Sequence, residues 1–129
     1  MANVPDDLRY TIDHEWTRPD ADSGVYVVGI TDYAQGELGD VVFVNLPKVG
    51  DKLGTHQVFG TIEAVKAVAD LYSPIAGSVV GINEALDGDP AVVNREPYGD
   101  GWMVKLRADN PAEVDELLTA DAYRAHIGA

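Results

Sequence analysis

The chain has 129 residues, with 22 acidic and nine basic side chains and a formal net charge of −13 at pH 7. Because nucleic-acid phosphates and anionic membrane surfaces are bound through Lys and Arg, this balance argues against both as partners. An apolar fraction of 46% is typical of a globular protein, and the length predicts one domain over residues 1–129. The chain has no cysteine, which excludes disulfides, thiolate metal ligands and a cysteine nucleophile.

Targeting and membrane signals are not found in the sequence. The first twenty residues have no basic stretch followed by an apolar run, and no run of 18 apolar residues occurs in the chain. We therefore expect no secretory signal and no membrane-spanning helix. The three histidines, at 14, 56 and 126, are too widely spaced to predict a metal site. The expectation is a monomer in the bacterial cytoplasm.

Short apolar runs rich in β-branched residues predict a mainly β protein, because Gly-Asp pairs and prolines separate several of them. The predicted strands are 25–30, 41–46, 57–65, 68–71, 77–82 and 102–107. After the first of these, Thr31 or Asp32 can cap a single short turn of helix.

The C-terminal region carries the clearest helix signal. Asn110 stands where an N-cap belongs, Pro111 suits the first helical position, and Glu113 completes the pattern of a capping box. These residues predict one helix over about 111–126. Its predicted apolar face consists of Leu117, Leu118, Ala122 and Tyr123.

A weak internal repeat relates two stretches of the chain. G-D-V-V-F-V-N-L-P-K-V-G-D (39–51) aligns without a gap with G-S-V-V-G-I-N-E-A-L-D-G-D (77–89), 38 residues later. Two copies of one β-unit would be related by a pseudo-twofold axis, with residues 52–76 as their connection. Lys66 lies near the middle of that connection, so the repeat predicts a hairpin with Lys66 at its tip. A type I turn over residues 64–67 suits this stretch, because that turn accepts most residues.

Lys66 is the one basic residue between Lys52 and Arg95. The residues alone leave two interpretations open: an ordinary solvated lysine on a strand, or a lysine that a hairpin turn holds away from the body of the protein. A Schiff-base nucleophile is disfavoured, because that chemistry needs a desolvated lysine with a lowered pKa and not a turn among acids.

Five motifs extend this second interpretation. They are Y-T-I-D-H-E-W (10–16), V-G-I-T-D-Y-A-Q-G-E-L-G-D-V-V-F-V-N-L-P (28–47), E-A-V-K-A (63–67), S-P-I-A-G-S-V (73–79) and V-N-R-E-P-Y-G-D-G-W (93–102). In this order and spacing they resemble the glycine cleavage H-protein family, over roughly residues 8–123. One departure is visible, since the family commonly has serine where this chain has Ala64.

The resemblance implies a fold and a cofactor. The fold is a barrel-sandwich hybrid, as in lipoyl and biotinyl domains, with two antiparallel sheets related by a pseudo-twofold axis and a C-terminal helix. Its core would span about 8–107. Lys66 would carry lipoate in amide linkage, and the protein would be a non-catalytic carrier.

The resemblance also implies partners. The carrier would take the aminomethyl group of glycine from glycine decarboxylase (P protein) to the aminomethyltransferase (T protein). Dihydrolipoyl dehydrogenase (L protein) would then reoxidise the dithiol, and a lipoate ligase or octanoyltransferase would attach the lipoate. A relay that donates lipoyl groups to 2-oxo acid dehydrogenases uses the same lysine and stays an alternative. So does an unmodified β interaction module, whereas a biotin carrier is disfavoured because no methionine flanks Lys66.

Two groups of site residues are predicted around the modified lysine. Recognition by the lipoate-attaching enzyme is assigned to Glu63, Val65 and Ala67. A small cleft for the loaded arm is assigned to Glu15, Asp70 and His14, since carboxylates could hold a cationic amine by charge-assisted hydrogen bonds. The alternatives are that these acids belong to the solvated surface and that the histidine is a satisfied structural residue.

Overall fold

The computed structural model describes residues 3–128, and β-strands account for most of its regular structure. The strands are β1 (Arg9–Tyr10), β2 (Glu15–Pro19), β3 (Val25–Ile30), β4 (Val41–Asn45), β5 (Lys52–Leu53), β6 (Val58–Ala64), β7 (Val68–Tyr72), β8 (Gly77–Ile82) and β9 (Val104–Ala108). The helices are α1 (Asp32–Leu38), α2 (Ala85–Gly88), α3 (Val92–Arg95) and α4 (Ala120–Ile127), with a 3₁₀ helix over Pro111–Glu116. No helix within residues 3–128 is long and apolar enough to cross a membrane.

The strands form two antiparallel sheets. The larger has six strands in the order β1-β2-β3-β9-β8-β5, and the smaller has three in the order β4-β6-β7. The hairpin β6–β7 forms the centre and one edge of the smaller sheet, with Glu63 paired to Val68 beside the turn. This architecture confirms the predicted mainly β fold of two antiparallel sheets with a C-terminal helix.

The larger sheet is covered on both faces, which explains the continuous apolar run of β3. Val28 packs into the cluster between the two sheets, with Ile62 of β6 and Val79 of β8. Val27 points the other way, into a second cluster with Trp16 and Tyr123. Successive side chains of a strand alternate between faces, so a strand covered on both sides needs apolar residues at every position.

The internal repeat has a structural counterpart. Val41 and Val79, which the repeat aligns, are both buried and lie in different sheets. The strand pairing slips between Val41 and Phe43 in β4, and it slips at the aligned position, between Val79 and Gly81, in β8. Each copy therefore carries a β-bulge at the same place, as two similar units would.

The helix expected over residues 111–126 is two separate segments. Asn110 caps the 3₁₀ helix by accepting a hydrogen bond from the Ala112 N–H, but Glu113 does not close a capping box. Its carboxylate instead accepts hydrogen bonds from the Ala76 N–H and the Thr55 hydroxyl. The chain then becomes extended at Leu117, and Thr119 caps α4.

The predicted apolar face of this region is partly wrong. Tyr123 is buried, but Ala122 is exposed, whereas Val114 and Ala120 are buried. The face changes because the break before α4 shifts the helical phase, so the spacing assumed for one continuous helix does not apply.

Several short elements were not predicted, namely β1, β2, β5, α2 and α3. β2 places Trp16 in the second cluster, where its ring N–H donates hydrogen bonds to the Ile30 and Pro97 carbonyls. A Cβ on Gly29, the residue opposite in β3, would lie 2.7 Å from the Trp16 ring. Gly29 therefore makes room for the Trp16 ring.

Candidate functional site

Lys66 lies at the tip of the β6–β7 hairpin, where the repeat predicts it. The hairpin closes with a hydrogen bond of 2.9 Å from the Ala64 N–H to the Ala67 carbonyl, which leaves Val65 and Lys66 as the tip. Neither tip residue has a positive φ. Two-residue hairpin turns normally need positive φ, so this tip requires support from outside the hairpin.

That support comes from the end of α1 and the residues after it. The Lys66 N–H donates to the Leu38 carbonyl at 3.1 Å, and the Val65 N–H donates to the Asp40 carbonyl at 2.9 Å. The last carbonyls of a helix lack partners within the helix, so the hairpin satisfies one of them. These bonds hold the backbone beneath the lysine and leave its side chain exposed.

Gly39, between those two carbonyls, shapes the surface under the lysine stem. Its φ of 80° and ψ of −161° belong to a region that is essentially restricted to glycine. A Cβ there would lie 3.1 Å from Lys66 Cγ. The side-chain amide of Asn94, in α3, fixes the connection between α1 and β4. It donates a hydrogen bond to the Gly39 carbonyl and accepts one from the Val41 N–H, both at 2.9 Å.

A cleft of about 230 Å³ opens beside the hairpin, and all three predicted cleft residues line it. Its apolar walls come from Ile30, Ala34, Leu38, Ile62, Ala69 and Leu71. Its polar lining consists of Asp13, His14, Glu15, Tyr33, Glu37 and Asp70. Drug-sized ligand sites are usually larger, about 300–1,000 Å³, so this cleft suits a slender chain with a polar end.

The cleft is lined by residues close to the lysine, although Lys66 itself does not line it. Leu38, whose carbonyl holds the Lys66 N–H, is part of its wall, and Ala69 and Asp70 of β7 line it three and four residues after Lys66. The Lys66 side chain therefore starts beside the cleft wall.

Glu15 is only 2% exposed, and burial raises its pKa to about 9. The Asp13 carboxylate acts in the same direction, while a hydrogen bond from the Thr11 hydroxyl at 3.1 Å lowers the pKa in part. The Glu15 side chain is thus protonated near neutral pH. This differs from the expected pair of ionised carboxylates, since Asp70 is exposed and Glu15 is not.

His14 combines a backbone role with a place in the cleft. Its φ of 72° lies in the left-handed region, in the tight turn where its N–H donates to the Thr11 carbonyl. Its Nδ1 lies 2.9 Å from the Tyr123 hydroxyl, which lies 2.7 Å from the hydroxyl of Thr31, the N-cap of α1. Burial, and then His126, lower the pKa of His14, so the neutral ring is favoured.

The residues assigned to recognition lie around the lysine. Glu63, Val65 and Ala67 are all exposed. Glu63 is in the last part of β6 and pairs with Phe43 on one side and Val68 on the other. None of the three contributes to the cleft lining.

Sequence reasoning missed part of the cleft. Tyr33 and Glu37 line it from α1, and their spacing of four residues puts them on one face of that helix. The sequence predicts only a single short turn of helix here, which is too short to place residues 33 and 37 on one helical face. Tyr123 reaches the site through the His14 ring, and Thr31 reaches it through Tyr123 and through the Ala34 N–H that its hydroxyl caps. No sequence signal joins Tyr123 to residues so far away in the chain.

A second, larger cavity of about 350 Å³ lies between residues 10–12, 55–56 and the 3₁₀ helix. No residue of the Lys66 hairpin lines it, so we do not assign the arm to it. Its lining includes Glu113, which ties the 3₁₀ helix to the loop before β8.

Comparison with known proteins matches the glycine cleavage H-protein family to residues 8–128. The chain belongs to this family. The glycine cleavage system H protein of Chlorobium phaeobacteroides is 59% identical over 127 residues, which are 98% of this chain and 99% of that protein. The H protein of Symbiobacterium thermophilum is 53% identical, with 97% and 96% covered.

The fold agrees with a solved member of the family. The crystal structure of a glycine cleavage system H protein from Mycobacterium marinum superposes with a TM-score of 0.87 at 41% identity. It covers 98% of this chain, and this chain covers all of it. The H-protein family thus extends over both sheets, the hairpin with Lys66 and the C-terminal helix.

Proposed function

We propose that this protein is the lipoylated carrier of a glycine cleavage system, with lipoate in amide linkage to Lys66 and all of residues 1–129 in one carrier domain. The observation that carries the proposal is the position of Lys66 at a backbone-supported hairpin tip, beside a slender cleft, in a chain of the H-protein family. The proposed compartment is the bacterial cytoplasm, and the proposed state is a monomer.

The residues present fit a long acyl arm. Gly39 leaves space for the lysine stem, and the apolar cleft walls suit an aliphatic chain. The acidic side chains in the cleft lining suit a positively charged group at the end of that chain. Lipoate supplies a dithiolane that can accept the aminomethyl group of glycine and return as a dithiol.

The protein's own groups would hold the cargo and exclude water. A protonated amine in the cleft would meet Glu15 and Asp70, and charge-assisted hydrogen bonds would hold it. A positive charge beside Glu15 favours its ionised form, so binding of the amine would release the proton that Glu15 otherwise retains. His14 would stay neutral and would position the turn that carries Glu15.

The carrier itself catalyses no step in this proposal. Tethering raises the effective concentration of the arm at each partner site, and the partners' cofactors do the chemistry. The proposed partners are glycine decarboxylase, the aminomethyltransferase, dihydrolipoyl dehydrogenase and a lipoate ligase or octanoyltransferase.

The test is the intact mass of the protein after incubation with lipoate, ATP and a lipoate ligase. We expect a gain of one lipoyl group in the wild type and none in a Lys66→Arg control. A folded wild type that gains no mass would remove the carrier function and favour the unmodified interaction module. A gain that persists in Lys66→Arg would place the arm on another lysine.

A further inference from the structure

Four exposed apolar side chains lie around Lys66, on the outer face of the smaller sheet and at the hairpin tip. They are Val42 (58% exposed), Phe43 (48%), Val65 (72%) and Val68 (68%). We call this set the apolar strip. Single exposed apolar residues are common, but a cluster of four beside a candidate modification site is a candidate binding surface.

The β-bulge in β4 creates half of the apolar strip. In a regular strand neighbouring side chains point to opposite faces, so only one of Val42 and Phe43 would reach solvent. Here the pairing with β6 slips between Val41 and Phe43, and both Val42 and Phe43 are exposed while Val41 and Val44 remain buried. Bulges often re-aim side chains near functional sites.

Strand register places two members of the apolar strip on either side of Glu63. Phe43 pairs with Glu63 of β6, and Glu63 pairs with Val68 of β7, so the three side chains form one row across the sheet. With neighbouring strands about 4.7–4.9 Å apart, Phe43 and Val68 flank Glu63 closely. Val65 lies at the hairpin tip beyond this row, next to Lys66.

The charges around the apolar strip are acidic. Glu63 lies within the row, Asp70 is the next outward-facing residue of β7, and Asp40 holds the Val65 N–H; all three are exposed. Acylation would remove the charge of Lys66, the one basic residue between positions 52 and 95. A complementary surface would be apolar at its centre and rimmed with Lys and Arg.

We propose that the apolar strip is the docking surface for the lipoate-attaching enzyme, a protein whose lysine-acylating centre is bordered by an apolar patch and basic side chains. This inference rests on the proposed acylation of Lys66. That enzyme must bring the activated carboxyl group to Lys66 Nζ itself, so it must cover the surface around the lysine. An enzyme acting at the far end of the arm can stand an arm's length away, so the apolar strip fits the attaching enzyme better.

The acylation can be followed with a lipoate ligase. Lipoate and ATP give lipoyl-adenylate and pyrophosphate, and Lys66 Nζ then forms the amide bond as AMP leaves and the amine loses a proton. The experiment compares Val42→Ser and Phe43→Ser with the wild type by initial rate of mass gain over a range of carrier concentrations. Thermal unfolding checks that each variant is folded. We expect both to fold, because substitutions at exposed positions usually change stability little.

We expect KM for the carrier to rise about tenfold in each variant with little change in kcat, as for truncation of a side chain at the centre of an interface. Val49→Ser is the matched control, because Val49 is 61% exposed but follows β4 at its other end, away from the hairpin. It should keep the wild-type KM, and Phe43→Leu should keep most of the wild-type rate.

Several outcomes would overturn the docking proposal while the carrier function stands. Val42→Ser and Phe43→Ser could be acylated with the wild-type KM. They could instead be acylated normally but reoxidised more slowly by dihydrolipoyl dehydrogenase, which would assign the apolar strip to a later partner. Loss of a wild-type dimer in gel filtration would assign it to a second copy. A wild type that gains no lipoyl mass would remove both proposals.

Discussion

Glu15 shows how burial changes the chemistry of one side chain. The sequence H-E-W offers an ordinary acid among 22, but the start of β2 places this carboxyl inside the cleft with 2% exposure. Desolvation disfavours its charged form, and the pKa rises to about 9. The consequence is a neutral acid that can donate a hydrogen bond where the sequence predicted a negative charge.

Glu15 should make the protein less stable as the pH rises. In the unfolded chain its carboxyl ionises near its ordinary pKa of 4.5, whereas in the folded protein it stays protonated to about pH 9. The folded state therefore binds more protons between these values, and rising pH favours unfolding. Glu15→Gln, which keeps a neutral acceptor for Thr11, should gain stability relative to the wild type between pH 5 and pH 8. The gain is at most about 4 kcal/mol.

Urea unfolding of both proteins at pH 5 and pH 8 measures this difference. A constant difference in the free energy of unfolding across that range would show that Glu15 is ionised in the folded protein.

Asp70 should protect the loaded arm. Because it is an exposed carboxylate in the cleft lining, its loss removes one charge-assisted hydrogen bond to a cationic amine, about 1.5–3 kcal/mol. Asp70→Asn should therefore lose the aminomethyl cargo by hydrolysis about 10 to 150 times faster than the wild type, as measured by ammonia and formaldehyde release from the loaded protein. Asp87→Asn, an exposed acid outside the cleft lining, should not. Equal rates for all three proteins would remove Asp70 from the site.

At the level of elements, the site depends on the connection between α1 and β4. The last carbonyl of α1, that of Leu38, and the carbonyl of Asp40 hold the hairpin tip, and Asn94 of α3 holds the connection between α1 and β4. The hairpin thus needs no Asn-Gly or Asp-Gly turn, because hydrogen bonds from a distant segment fix it. The sequence of residues 64–67 predicts where the turn lies. The backbone carbonyls that support the turn belong to Leu38 and Asp40, 24 or more positions earlier in the chain.

Two glycines of this segment should respond oppositely to the same change. Gly36 lies inside α1, and a methyl group added there would meet open space, so Gly36→Ala should stabilise the protein by about 0.5–1 kcal/mol. Gly39→Ala should destabilise it by about 1–3 kcal/mol because its backbone conformation is restricted to glycine. It should also slow acylation, since the new Cβ presses on the Lys66 stem. Thermal unfolding and the ligase assay measure both effects, and a stable Gly39→Ala would contradict the role of this conformation.

At the scale of the whole molecule, apolar packing between layers stabilises the fold, whereas the net charge affects stability and partner encounter without selecting the fold. Two apolar clusters, one on each face of the larger sheet, hold the fold together. The net charge of −13 opposes compaction through self-repulsion and contributes nothing to the choice of fold. The same charge favours encounter with basic partner surfaces.

Added salt should therefore stabilise the protein. Raising NaCl from about 0.01 to 0.15 M shortens the screening length from about 30 to 8 Å, which weakens repulsion among the surface acids. We expect Tm to rise over this range in differential scanning calorimetry. A fall in Tm would mean that local ion pairs, such as Arg124 with Asp121, outweigh the general repulsion.

The sequence by itself determined the strands with strong apolar runs, since β3 and β8 have the predicted bounds, and it placed Lys66 at a hairpin tip. Alternation and β-branched content are visible in neighbouring residues, and the alignment of 39–51 with 77–89 is visible by comparing the sequence with itself. The family resemblance led to the prediction of the cleft residues Glu15, Asp70 and His14. The sequence did not show that these three residues lie close together in the fold.

Only the tertiary structure decided the rest. It broke the C-terminal helix at Leu117, directed Glu113 to Ala76 and Thr55, and buried Glu15 deeply enough to keep its proton. It also joined Val42 and Phe43 to the Lys66 hairpin through a bulge. Each of these outcomes depends on contacts between residues far apart in the chain, and on the loss of water around them, which no local pattern of residues encodes.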